Sequence, residues 1–135
     1  MTYHSHFSFQ RAIYQLLAAD NSLSAMVSGV FDHVPQGSIY PFITLGEAQL
    51  RDRSDLEHSG TEVLLTLRVY SREAGRKEAA DIMERITTLL HNTTPEMERH
   101  EVLSLQFHQS RIDLLDDGAT YRGTIIFKAL LRMQA

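Results

Sequence analysis

The chain has 135 residues, a formal net charge of −4 and no cysteine. The missing cysteine excludes disulfide frameworks, thiolate metal sites and cysteine nucleophiles. The mixed, slightly acidic charge argues against a dedicated nucleic-acid binder, whose affinity comes from a concentrated basic face.

The length fits one domain, taken as residues 1–135, able to bury a core without metal or disulfide staples. Met1 to Gln10 carries no signal-peptide pattern, and no apolar run of about 18 residues crosses a bilayer. The expectation is a soluble protein made in the cytoplasm, with no membrane partner.

A first helix is predicted over Phe7 to Ala19, because Phe9, Ala12, Ile13, Leu16 and Leu17 form one apolar stripe. Asp20-Asn21 breaks it. Ser22 has N-cap chemistry for a short second helix carrying Leu23, Met26 and Val27, with Gly29 closing it. Val30 to Val34 alternates as an edge strand, and Pro35 to Ser38 is a turn. Pro41 sets the start of a strand over Phe42 to Leu50, since proline is tolerated where no ladder donor is needed.

Glu47 to Gly60 changes character. Arg51, Asp52, Arg53, Asp55, Glu57 and His58 crowd together with few apolar neighbours, which reads as a solvated hairpin tip or loop. Glu62 to Ser71 is the clearest strand, with Val63, Leu65, Leu67 and Val69 at period two against Thr66, Arg68 and Tyr70. Gly75 to His91 is the main amphipathic helix. Its apolar face is Ala79, Ile82, Met83, Ile86, Leu89 and Leu90, and its wet face includes an Asp81–Arg85 pair at i,i+4. Asn92 to Pro95 ends it.

Glu101 to Leu115 is predicted as a long strand with Leu103, Leu105 and Phe107 turned inward. Asp116-Asp117-Gly118 is hairpin-turn chemistry. Thr120 to Arg132 returns as a strand, Tyr121, Ile125, Phe127 and Ala129 on one face. Ile126 and Leu130 fall on the other face among charged residues, which marks them as subunit-interface candidates. Helices and strands come in runs, so the fold class is α+β. The expected architecture is a four- or five-stranded mixed or antiparallel sheet with two long helices packed on one face.

No catalytic, cofactor or metal constellation emerges. The seven histidines fall on different elements, without the i,i+4 spacing of a helical zinc site. Ala74 to Lys77 follows a strand and opens a helix, but one glycine is a turn residue before it is a phosphate cradle. Asp116 and Asp117 beside glycine are turn formers before they are acid–base catalysts.

Several segments in order resemble one family. They are Asp32-His33-Val34-Pro35-Gln36-Gly37, Tyr40-Pro41-Phe42-Ile43-Thr44-Leu45-Gly46-Glu47, Leu67-Arg68-Val69-Tyr70-Ser71-Arg72, Gly75-Arg76-Lys77-Glu78-Ala79 and Asp117-Gly118-Ala119-Thr120-Tyr121-Arg122-Gly123. Over about Phe9 to Leu131 the chain is similar to the tail-completion (tail terminator, tail-to-head joining) proteins of siphophages, prophages and gene transfer agents.

The resemblance implies a non-enzymatic α+β subunit of a six-membered ring. Such a ring ends the tail tube and joins it to the head. Its partners would be further copies of itself, the major tail protein and the head connector protein, with DNA only in transit. It would be assembled in a bacterial cytoplasm and sit at the head–tail junction of a virion or phage-like particle. Arg51, Asp52, Arg53, Asp55 and Glu57 then become candidates for a loop facing the lumen or the tail. Three alternatives stand beside this reading. One is another head–tail connector, and one is a small-ligand module. The third is a small hydrolase or nuclease, which requires His33, His108 and Arg111 to converge.

Overall fold

The computed structural model of the protein describes residues 5–54 and 60–133. Two helices open the chain, α1 (Ser5–Ala18) and α2 (Asn21–Met26), followed by strands β1 (Val30–Phe31), β2 (Phe42–Asp52) and β3 (Gly60–Ser71). Helix α3 (Lys77–Leu90) leads to β4 (His100–Leu114) and β5 (Tyr121–Met133). The five strands form one mixed sheet in the order β1-β2-β3-β5-β4. β1 runs parallel to β2 and every other pair is antiparallel. The fold class is α+β, as the runs of like elements imply.

The periodic segments explain the core. In β3 the period-two face Val63, Leu65, Leu67 and Val69 is buried. Opposite it across the ladder, Ile125, Phe127, Ala129 and Leu131 of β5 are buried too. Ala79, Ile82, Met83, Ile86 and Leu90 of α3 close over them, while Phe9, Ile13 and Leu17 of α1 join the same cluster. Each fully buried side chain of this size contributes roughly 1.5–3 kcal/mol. Asn92 ends α3 in the left-handed region, φ 62, which asparagine tolerates. In the β4–β5 turn Gly118 takes φ 70, and the Asp117 carboxylate accepts from the Ala119 and Thr120 N–H groups at 2.9 and 2.8 Å.

Several expectations are corrected. Asp20, not Ser22, caps α2: its Oδ2 accepts from the Leu23 N–H at 2.8 Å. The helix ends at Val27, before Gly29. The edge strand is Val30–Phe31 alone, because its parallel register reaches only Ile43 and Thr44 of β2. β2 runs on to Asp52 and β3 begins at Gly60, so the first part of the polar stretch, Glu47 to Asp52, is strand. Its polarity reflects exposure along the sheet margin.

In β4 Val102 and Leu105 are buried, and Leu103, in the first bulge, is 42% exposed. Phe107, in unbroken register with Leu105, keeps the α3 side opposite Phe127 and is 39% exposed at the sheet edge. Register shifts between Val102 and Ser104 and between Phe107 and Gln109 insert extra residues, and each resets which parity faces the core. The predicted Asp81–Arg85 pair is replaced by two others. Lys77 donates to Asp81 at 2.7 Å, and Arg85 makes a forked pair with Asp20 at 2.6 and 2.9 Å, tying α3 to the α1–α2 junction.

Candidate assembly surface

Three surfaces gather the polar and half-buried residues left over from the core: the sheet face away from α3, the two sheet margins, and the β2–β3 hairpin.

The face away from α3 is a lattice of ion pairs. Arg68 donates to both Glu47 carboxylate oxygens at 2.7 and 3.0 Å, which holds that carboxyl down to about 2. Glu62, with only 9% of its side chain exposed, lies 3.3 Å from Lys128 and 3.7 Å from Arg53. Asp113 lies between Arg111 at 3.1 Å and Arg122 at 3.9 Å, and Arg132 pairs with Glu101. Exposed pairs of this kind contribute little stability. They fix side-chain positions and neutralise the face. Ile126 is half-buried here opposite Thr66 and Gln109. Leu130, 36% exposed, lies opposite Glu62 and Ser104.

The charged candidates of the hairpin divide. Arg51 and Asp52 are exposed at the end of β2, and Arg53 follows, its N–H donating to the Gly60 carbonyl at 2.9 Å. The Ser54 hydroxyl donates to Asp52 at 2.7 Å and lowers that carboxyl's pKa. Asp55, Glu57 and His58 lie outside the described residues.

The margins differ from each other. On the β2 side, β1 covers only Ile43 and Thr44. On the β4 side, the Asn92 N–H donates to the Leu105 carbonyl at 2.8 Å. The Phe107 N–H donates to His91 Nδ1 at 3.0 Å. Among the described residues, no backbone group outside the β2–β3 and β4–β5 ladders bonds to residues 46–52 or 108–114. Beside the β4 margin an apolar groove of about 340 Å³ runs against α3, lined by Met83, Thr87, Phe107, Ser110, Ile112 and Ile125.

The catalytic alternative finds no centre. His33 follows β1 and His108 and Arg111 lie on β4, at opposite ends of the sheet. Ser71, fully buried, donates to Glu78 at 2.6 Å and ties β3 to the first turn of α3. Two histidines are not mere surface residues: His91 holds the β4 margin, and His100 is 3% exposed. Among the described residues no three metal-ligating side chains converge. The Asp20–Arg85 link and the two margins escape sequence reading. Only the capping chemistry of Asp20 was available to flag the first.

The ion-paired sheet face and the two open margins are the contact surfaces that this α+β domain presents. The chain belongs to the tail completion protein gp17 family, whose model it matches over residues 11–132. Among solved structures, it is similar to a chain in the virion of a native gene transfer agent particle. The two share 25% sequence identity and a TM-score of 0.90, over 96% of this chain and 98% of that one. No curated protein matches it.

Proposed function

We propose that this protein forms a ring that ends a phage-type tail tube and joins it to the head connector, at the head–tail junction of a phage or gene transfer agent particle. The observation that carries the reading is the pairing of the tail-completion family match over residues 11–132 with near-complete structural likeness to a chain of a gene transfer agent virion. The ring acts through shape and contact, without turnover of a substrate. A closed ring uses a heterologous interface, so each subunit presents two different complementary patches. The charged hairpin carrying Asp52, Asp55 and Glu57 faces the tube or the bore, where carboxylates leave passing DNA its counterions.

Deletion of the gene followed by electron microscopy of the particles tests this reading. Overlong or headless tails are the expected outcome, and normal particles refute it. Replacing Asp52, Asp55 and Glu57 by their amides should lower infectivity or transfer titre without unfolding the subunit. An unchanged titre removes the hairpin from the tube or bore.

A further inference from the structure

We propose that the two open sheet margins are the two complementary patches. Residues 46–52 of β2 in one copy pair antiparallel with residues 108–114 of β4 in the next, so that the sheet runs unbroken around the ring. The inference deepens the ring reading and rests on it.

The lengths match. β1 leaves residues 46–52 uncovered, and His91 and Asn92 leave residues 108–114 uncovered, seven residues each. The direction matches as well. β4 runs opposite to β2 within the sheet, and rotation about a ring axis preserves direction. Neighbouring copies therefore meet antiparallel, the geometry with the better hydrogen bonds.

The side chains also suit each other. Laid opposite one another over their full length, the segments place Gln49 across from Arg111 and bring Glu47 within diagonal reach of Arg111. On the core side they bring half-buried Ala48 and Leu50 toward Ile112 and Ser110, continuing the apolar layer beside the groove. Arg51 falls across from Gln109, and Glu47 falls across from Asp113, whose charge Arg111 and Arg122 already offset.

The offset has a geometric consequence. Residues 46–52 lie level with 126–131 of β5, and residues 108–114 with its other half. Facing them requires a slide of about four residues, about 13 Å at about 3.3 Å per residue, across the four strand spacings from one β2 to the next, about 19 Å at about 4.8 Å per strand. The strands then tilt by roughly 35° from the ring axis, the range found in closed sheets. With a right-handed β3–α3–β4 crossover, that slide gives the natural right-handed coil only if α3 lies outside and the opposite face lines the bore. Arg68, Arg122, Lys128 and Arg132 on that face are already paired with carboxylates, so they have few counterions to exchange with DNA in transit. Ile126 and Leu130 lie on β5, inside the sheet, and do not reach this seam.

The chain has no cysteine, so paired substitutions report the contact directly. Particles are prepared with Gln49→Cys and Arg111→Cys in one chain, and with each change alone, then oxidised and run on non-reducing gels. A second pair, Arg51→Cys with Gln109→Cys, directly opposite in the same register and on the same face, covers loss of Arg111. The expected result is a ladder from the double variants, collapsing on reduction, and monomer from the single ones. Cross-linking by a single variant overturns the proposal, since one margin would then meet itself. Monomer from both double variants in particles that contain the protein overturns it while leaving the ring reading intact. Absence of the protein from particles removes both.

Discussion

Gly123 offers a sharp test of how α3 seats on the sheet. It lies on β5 between Val69 and Ile112, under Met83. A Cβ there would stand 2.3 Å from the Met83 sulfur and 3.2 Å from its Cε and Cγ. Forcing a methyl into a packed site costs about 1–3 kcal/mol. Met83 has a flexible thioether and borders the open groove, so it gives way and the lower half of that range applies. Against this, alanine restricts the unfolded chain and returns about 0.4–1 kcal/mol. Gly123→Ala should therefore destabilise the domain by about 1 kcal/mol.

With Met83→Ala already in place the clash is gone, and the same change should be neutral or stabilising by about 0.4–1 kcal/mol. The two sites then couple by about 1–2 kcal/mol. The chain lacks tryptophan, so urea unfolding is followed by far-UV circular dichroism, at one protein concentration because assembly shifts apparent stability. Increased stability from Gly123→Ala alone, or additivity within about 0.3 kcal/mol, would refute this account of the packing.

Three further outcomes are expected. Leu105→Ala should cost about 2–5 kcal/mol in urea unfolding while Leu103→Ala stays within about 0.5 kcal/mol; equal effects would place the β4 bulges wrongly. Asp20→Asn keeps a capping oxygen but loses the charge pair with Arg85, whereas Asp20→Ala loses both. Melting temperatures should thus fall in the order parent, Asn, Ala. The folded Glu47 carboxyl is held to about 2, below its ordinary 4.5, so its contribution is present above about pH 4.5 and is lost as pH falls toward 2. Glu47→Gln should flatten the acid limb of the stability–pH curve slightly, the site being exposed. An unchanged limb counts against the pair.

Elements whose burial is set by one uninterrupted period were legible from sequence. The face of β3 and most of that of α3 follow from spacing alone, and so does the turn at Asp117-Gly118. β4 misled because a bulge leaves no mark in composition, yet it flips every later side chain. β2 was cut short because exposed margin residues such as Arg51 and Asp52 look like loop. The Asp20–Arg85 link joins residues far apart in the chain, and no local pattern signals it. The crowded charges around Arg51 and Asp52 were visible, but not that they close a strand. The open margins depend on strand order, which is a property of the assembled sheet.

His91 and Asn92 have an effect beyond closing a helix. A bare outer strand as long as β4 is a template on which one chain after another can pile up. By taking the Phe107 amide and the Leu105 carbonyl out of circulation, the connection after α3 confines that stickiness to one end of the strand. A newly made molecule is left with half of that strand open, the half whose Arg111 and Asp113 charges oppose indiscriminate stacking.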